Sequence, residues 1–426
     1  MKIKRCVLYS LLLALASYGL HYHVAKAFIH LAAFLSIINI LFAIKDRSLE
    51  NISFNKLTIR MVIALLISAT ITFVYFMIYN NPISERHFSS MFYPVLYFSI
   101  ILPSLKIESS DKQIVLYTGI FSCIAMASSG IIDFISSGNP AHRTSGFLNM
   151  PIIYASCMVI LTSWISAEFF KNLTHKKWGI VSLCFIAICA GFFATLFTGS
   201  RGPIIANVIV LVILFSHYLL ASSPSNGKKY SLLIFLAFCT IITLFLSQSE
   251  LLDNIKGRFQ HGINNISTAF EEGKRQSTPT GIRLDMWEAS LVAMTDHPLI
   301  GIGPGSYIEY FAILDQEKRI NINTNTVIQF DHMHNDFIQA WLSMGLIFGT
   351  MVLFFILYPT LLFVTKIKNN ELAIIGLSIC FGFILCGLTD VPAHRASSLT
   401  LFLLLICIQM ATLNNHCMPE KQLEDI

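Results

Sequence analysis

Long apolar runs separated by short polar segments are the sequence feature that most restricts how this chain can fold. A helix needs roughly 20 residues to cross the hydrocarbon core of a bilayer, and about twelve runs of that order recur along the chain. The composition agrees, because 55% of the residues are hydrophobic and only 12% are charged. We therefore predict an all-α polytopic membrane protein. The runs cover residues 6–20, 27–44, 59–79, 90–106, 114–136, 151–170, 179–198, 203–222, 231–247, 337–364, 372–390 and 397–413.

The distribution of lysine and arginine predicts the orientation of these spans. With an uncleaved first span and the N-terminus inside, most of the 29 basic residues fall in segments that face the cytoplasm. The short outer loops carry single cations, of which Lys26 and Arg86 are interpreted as incidental. The predicted organisation is spans one to nine over residues 1–247, a large outer helical cap over 248–336, spans ten to twelve over 337–413, and a cytoplasmic tail over 414–426.

The outer segment contains a helical pattern of its own. Residues 281–294 repeat apolar side chains at helical spacing, and Thr280 precedes them as a candidate N-cap. Alternating glycine and proline over residues 297–305 then ends the helix. We predict a small helical cap that lies over the membrane. One face of the helix comprises Ile282, Met286, Ala289 and Ala293.

Arg201 lies where two spans are joined with almost no loop. Pro203 suits the first turn of the following helix, so the guanidinium is held at the membrane interface beside a helix N-terminus. Backbone N–H groups, the helix dipole and the guanidinium all favour an anion there. An arginine that anchors the helix among lipid headgroups is the equally weighted alternative.

Arg283 and Arg143 are the other cations available on the same face. Arg283 lies on the predicted cap helix, where a solvated arginine is the ordinary interpretation. With Arg201, and with Arg143 as a third candidate, it nevertheless offers the charge that a diphosphate needs without a metal ion.

A cluster of titratable side chains immediately precedes the tenth run. His332 and His334 are two residues apart, so they share one side of an extended strand but lie about 200° apart on a helix. His334 is the candidate general base, with Asn335 or Asp336 as neighbours that orient it. A histidine that only caps the helix is the alternative. No recognised metal-ligand spacing is present, and we predict no metal ion.

Asp390 follows the eleventh run on the outer side. A carboxylate there can orient a histidine or an arginine, or it can simply end the helix, and the sequence favours neither.

Four short motifs together resemble one family. They occur at residues 198–203, 281–288, 297–305 and 332–336, in the order seen in the O-antigen ligase and polymerase superfamily. The layout of about twelve spans with one large loop between spans nine and ten is similar as well. The stretches 332–345 and 387–390 look most like the enterobacterial O-antigen ligases.

The resemblance implies an inverting, metal-independent glycosyltransferase of the GT-C type without cofactors, in the bacterial inner membrane with its active site facing the periplasm. Such an enzyme transfers a glycan from undecaprenyl pyrophosphate to a sugar hydroxyl of lipid A-core, and it binds membrane lipids but no nucleic acid. By motif position, His334 corresponds to the catalytic histidine and Arg201 and Arg283 to the pyrophosphate-binding arginines. Asp390 matches an acidic position in the ligases. His332, Asn335 and Arg143 are further candidate substrate-binding residues.

Two alternatives to the ligase are kept. An O-antigen polymerase or a protein O-oligosaccharyltransferase differs only in its acceptor. A flippase or transporter for a lipid-linked glycan belongs to another class, but it is expected to place charged residues or broken helices near the bilayer midplane. The oligomeric state does not follow from the sequence.

Overall fold

The computed structural model describes residues 2–46, 56–139, 141–221, 279–322, 329–368 and 370–416, together with positions 257, 260, 264 and 327. These residues form helices and turns and contain no strand. The helices are α1 (Lys2–Tyr18), α2 (Tyr22–Lys45), α3 (Lys56–Tyr79), α4 (Pro82–Val95, continued by a π-helical stretch Leu96–Ile101 and Leu102–Ser104), α5 (Asp111–Ser137), α6 (Pro151–Thr174), α7 (Trp178–Phe197), α8 (Arg201–Ala221), α9 (Pro279–Asp296), α10 (Tyr307–Gln316), α11 (Asp336–Val352), α12 (Phe354–Lys366), α13 (Leu372–Gly387) and α14 (Ala396–His416). Short 3-10 helices cover Gly146–Leu148 and Pro392–His394.

The helices are those of a multi-pass membrane protein. In the described part of the chain, seven are long and apolar enough to cross a membrane, or up to eight if α11 and α12, which meet at a 41° bend, form one span. A helix is present at every predicted run except 231–247, which lies outside the described residues. The total of about twelve spans, the GT-C architecture and the side on which each end lies stay predictions.

Helix α6 lies at the centre of the bundle. In the apolar stretch of α6 that is long enough to cross a membrane, 94% of the residues are buried. The corresponding share is 28% in α2 and in α3. Helix α6 also packs on five other α-helices. Small residues allow the close packing of α13 on α6, since a Cβ atom on Gly382 would lie 2.5 Å from Oγ of Ser163. The hydroxyl of Ser378 also donates to the backbone oxygen of Ser163 at 3.1 Å. These contacts hold α13 against α6.

The helix predicted over 281–294 is present as α9, and the four residues predicted to share one face pack into one buried cluster. Met286, Ala289 and Ala293 are fully buried, and Ile282 packs against the same cluster. The prediction that Thr280 is the N-cap is wrong, because α9 already begins at Pro279. Proline is favoured in the first helical turn, where its missing N–H costs nothing. The Thr280 side chain is thereby released for another contact, described below.

The glycine-rich loop at 297–305 inserts into a break in α11. Gly345 has φ 70° and ψ 175°, so the helix is interrupted there and backbone groups lose their intrahelical partners. The loop supplies new ones: the Gly303 N–H donates to the Ser343 carbonyl at 3.0 Å, and the Leu346 N–H donates to the Pro298 carbonyl at 2.8 Å. The helical cap that contains α9 is therefore joined to α11 by backbone hydrogen bonds.

Helix α9 also covers the segment that carries the two candidate histidines. The indole N–H of Trp287 donates to the Met333 carbonyl at 2.9 Å, and the Met333 side chain is fully buried. Tyr307 of α10 donates its hydroxyl to the Phe330 carbonyl at 2.6 Å. The short segment between Phe330 and α11 is thus held between the cap and the membrane bundle.

Candidate active site

His332 and His334 both reach the same carboxylate. Nδ1 of His334 lies 3.3 Å from Oδ1 of Asp390, and Nε2 of His332 lies 3.5 Å from the same oxygen. His332 and His334 precede α11. His334 has a left-handed backbone conformation with φ 49°, so the chain turns sharply just before the helix begins. The two rings are 4.3 Å apart at their centroids. One buried carboxylate therefore organises both histidines.

Asp390 lies just after α13 and is buried, with 3% of its surface exposed. Burial alone would raise the pKa of Asp390, but the hydrogen bonds from His332 and His334 outweigh burial and hold the pKa well below its usual range. Of the two sequence-based interpretations of Asp390, the geometry agrees with the one in which the carboxylate orients a histidine. The carboxylate is ionised and accepts hydrogen bonds from both rings.

The ring of His334 is suited to accept a proton. Burial lowers the pKa of His334, the charges of His332 and Arg283 lower it further, and the hydrogen bond to Asp390 opposes these effects. The ring is consequently neutral near pH 7. Because Nδ1 faces the ionised Asp390, that nitrogen carries the hydrogen, and Nε2 keeps its lone pair.

His332 is held from its other side by an ion pair that the sequence interpretation missed. Nδ1 of His332 contacts Asp331, and Asp331 in turn pairs with Arg86 of α4. The interpretation of Arg86 as incidental is therefore wrong. Arg86 and Asp331 are far apart in the chain, and no local pattern around Arg86 indicates this contact. The result is a chain of side chains from Arg86 through His332 to Asp390.

Asn335 and Asp336 do not orient His334, contrary to the sequence-based prediction. The amide oxygen of Asn335 caps α11 by accepting from the N–H groups of Phe337 and Ile338, and its amide nitrogen donates to the Leu388 carbonyl at 3.1 Å. Asp336 instead forms a hydrogen bond with His394, whose Nδ1 lies 3.2 Å from Oδ1 of Asp336. These contacts tie the start of α11 to the turn after α13, which brings Asp390 beside His334. A substrate contact by Asn335 stays a prediction.

Arg283 is partly buried beside this cluster rather than fully solvated. Its Nε is buried and has no hydrogen-bond partner within the described residues. Burial lowers the pKa of Arg283, the positive charge of Arg201 lowers it further, and Asp390 opposes the shift. The charge of Arg283 also lowers the pKa of His334. Arg283 therefore lies within electrostatic range of Arg201, Asp390 and His334. A guanidinium with a buried, unsatisfied N–H favours an anionic ligand.

Arg201 begins α8 and reaches across to the cap. Its Nη2 donates to the hydroxyl of Thr280 at 3.2 Å. The next residue, Gly202, is packed so closely on the turn after α13 that a Cβ atom there would lie 2.0 Å from Oγ1 of Thr389. Arg201 is thus oriented toward α9 and the Asp390 turn, which agrees with the anion-site interpretation better than with an anchor among lipid headgroups.

Arg143 supports the turn that precedes Arg201. Its Nε donates to the Thr198 carbonyl at 2.9 Å, and its Nη2 donates to the hydroxyl of Ser200 at 3.0 Å. The structure places Arg143 against this turn, and its predicted contact with a diphosphate stays a prediction.

Three side chains of the site have the geometry to hold a metal ion. One donor atom each from His332, His334 and Asp390 lies within 4.8 Å of the others. The positive charge of the Arg283 guanidinium disfavours a metal cation at these atoms, because Arg283 already interacts electrostatically with His334 and Asp390.

The model of the O-antigen ligase family matches residues 184–354, a segment that includes Arg201, Arg283 and His334. Residues 184–354 belong to the O-antigen ligase family. The matched segment thus contains the two arginines and the histidine of the candidate site. Arg86 and Asp390 lie outside it.

A curated relative gives a second comparison. An uncharacterized protein of Haemophilus influenzae is 25% identical to this chain over 226 residues, which is 53% of this chain and 52% of the relative. The chain thus spans about half the length of the curated relative that it matches.

Proposed function

We propose that the chain is a glycosyltransferase that moves an O-antigen glycan from undecaprenyl pyrophosphate to a sugar hydroxyl of lipid A-core. The reaction inverts the anomeric centre, needs no metal ion, and takes place on the periplasmic side of the inner membrane. One observation carries the proposal: a neutral imidazole, oriented by a buried carboxylate, lies within electrostatic range of Arg283, and Arg283 lies within electrostatic range of Arg201. Family membership supports the same class of reaction.

His334 is the general base in this mechanism. Asp390 holds the hydrogen on Nδ1, so Nε2 is the atom that removes the proton from the acceptor hydroxyl. As that proton moves to Nε2, the acceptor oxygen forms a bond to the anomeric carbon from the face opposite the diphosphate. The bond from the anomeric carbon to the diphosphate oxygen breaks, and its electron pair leaves with undecaprenyl pyrophosphate. The imidazolium that forms is stabilised by the adjacent Asp390.

Arg283 and Arg201 stabilise the departing diphosphate. Negative charge grows on the leaving oxygen as the bond breaks, so fixed guanidinium groups lower the barrier most if they contact the diphosphate in the transition state. Arg283 offers an N–H that no side chain or backbone group of the described residues satisfies. Arg201 is held toward the cap by Thr280, a position from which both arginines can bind one diphosphate.

His332 acts through Asp390 in this proposal. Its two ring nitrogens lie against Asp331 and Asp390. His332 thereby fixes the position of the Asp390 carboxylate and, through it, the ring of His334. Arg86 compensates the charge of Asp331. His332 and Arg86 are therefore positioning residues that do not contact the reacting atoms in this proposal.

The location of the site suits a lipid-linked donor. Arg201 begins α8, Asp390 follows α13, and His334 precedes α11, so all three lie at helix ends. The predicted orientation places these ends at the periplasmic surface. A polyprenyl chain can there remain in the bilayer while its diphosphate enters the site. A transporter is expected instead to hold its charged residues near the midplane.

The test is transfer by the purified full-length protein in the presence of a chelator. The two substrates are undecaprenyl pyrophosphate carrying an O-antigen glycan and lipid A-core in detergent. A ladder of glycan on lipid A-core supports the ligase. Longer lipid-linked glycan without modified lipid A-core supports the polymerase instead, and loss of transfer on chelation contradicts the metal-independent mechanism.

A further inference from the structure

Two neighbouring cavities lie at the end of the bundle opposite the candidate active site. They surround the start of α13, whereas Asp390 follows the end of that helix. The volumes are about 490 Å³ and about 800 Å³, and Lys171, Asn370 and Glu371 line both. Lys171 therefore lies at the boundary between the two spaces.

The smaller cavity is amphipathic. Phe170, Leu214 and Ile374 give it an apolar wall, while Lys171 and Lys368 provide two ammonium groups beside that wall. A free inorganic anion would leave the apolar wall without a partner. An acyl chain would cover it.

The larger cavity has both polar and apolar lining. Lys112, Lys171 and Lys177 line it, and the carboxylate of Glu168 accepts from Lys171 at 2.8 Å. Gln409 also lines it and is buried, with 4% of its surface exposed. The space is far larger than a phosphate ion needs, so it suits the glycerol and terminal part of a headgroup.

We propose that these cavities bind one phospholipid of the adjacent leaflet. Its phosphate lies by Lys171 at the boundary and contacts Lys368, an acyl chain packs on Phe170 and Ile374, and the rest of the headgroup enters the larger cavity. Basic pockets between membrane helices are the type of site that holds phospholipid headgroups. The site is separate from the proposed transfer reaction and does not depend on it.

Native mass spectrometry of the delipidated full-length protein tests the proposal. The probes are dioleoyl phosphatidylglycerol, dioleoylglycerol, which has the same chains without phosphate, and inorganic phosphate. We expect one tightly bound phosphatidylglycerol, with dioleoylglycerol and inorganic phosphate each at least about tenfold weaker, because each lacks one half of the recognised chemistry. Equal binding of dioleoylglycerol, or equal binding of free phosphate, overturns the proposal.

Lysine variants locate the site. Lys368→Gln is expected to weaken phosphatidylglycerol binding about tenfold without disturbing an ion pair, since Lys368 forms no ion pair with the described residues. Lys171→Gln should weaken it at least as much, but it also removes the partner of Glu168. Lys45→Gln, at an exposed lysine on the same predicted face, is the matched control and should bind normally. Unchanged binding in the Lys368 variant contradicts this location.

Discussion

Nδ1 of His334 and Oδ1 of Asp390 lie 3.3 Å apart although the two residues are separated by 56 positions in the chain. The contact joins the start of α11 to the end of α13, and it leaves Nε2 of His334 as the basic nitrogen. The mechanism proposed above depends on this pair more than on any other.

Replacing His334 by alanine should remove the general base while leaving the membrane bundle intact. We expect transfer to fall by about 10²- to 10⁴-fold, the usual contribution of a positioned base. The matched control is His297→Ala, a histidine of the same cap whose ring contacts Tyr310 instead. Rates of transfer to lipid A-core measure both variants. A comparable loss in the His297 variant would mean that the cap, and not the base, is affected.

The substitution Asp390→Asn should change the pH profile as well as the rate. Activity requires neutral His334, so it is present above the pKa of that ring and is lost as pH falls through it. The pKa of His334 lies below its ordinary value, and Asp390 raises it, so the asparagine variant should lose its activity at a still lower pH than the wild type. The maximal rate should fall by about 10²-fold because the ring loses its orienting partner. An acid limb that moves to higher pH would contradict this role.

The substitution Arg201→Lys separates charge from geometry. Lysine keeps the positive charge but loses the planar fork that binds two oxygens at once. If Arg201 binds the leaving diphosphate, turnover should fall about 10- to 100-fold, the cost of losing a charge-assisted hydrogen bond. Protein yield and thermal unfolding serve as controls for folding. Undiminished turnover would favour the anchoring interpretation of Arg201.

Asp331→Asn tests whether His332 positions Asp390 or binds substrate. A positioning role predicts a lower kcat with little change in KM for the acceptor, because the defect is in the alignment of His334. A substrate contact by His332 predicts mainly a higher KM. Glu317→Gln, at an exposed carboxylate of the cap, provides the control and should leave both constants unchanged.

Glycine at position 345 should be required for the insertion of the cap loop. Gly345→Ala places a Cβ atom 2.2 Å from the backbone carbon of Leu299 in a residue whose φ is already positive. Gly138 also has a positive φ, but nothing lies within 4 Å of its Cβ position. Gly138→Ala should therefore cost only the left-handed strain, about 1–2 kcal/mol, and Gly345→Ala should lower the unfolding temperature further. Equal destabilisation of the two variants would mean that the loop is not clamped at Gly345.

Local patterns in the sequence were sufficient for the elements but not for all of the site. Helix α9 and its buried face follow from spacing alone, and His334, Arg201 and Arg283 stand out by their neighbours in the chain. The ion pair of Arg86 with Asp331 depends on how α4 packs beside the segment before α11, which no local periodicity reports. The N-cap prediction at Thr280 failed because α9 already includes Pro279 and Thr280.

The backbone hydrogen bonds between the loop at 297–305 and the interrupted α11 have a mechanical consequence. Arg283 is carried by the cap and His334 by the residues that open α11, so a cap that moved as a hinged lid would have to bend that span with it. The arginine and the imidazole therefore travel as one rigid unit. In the proposed reaction, substrates therefore reach the site without a hinged opening of the cap.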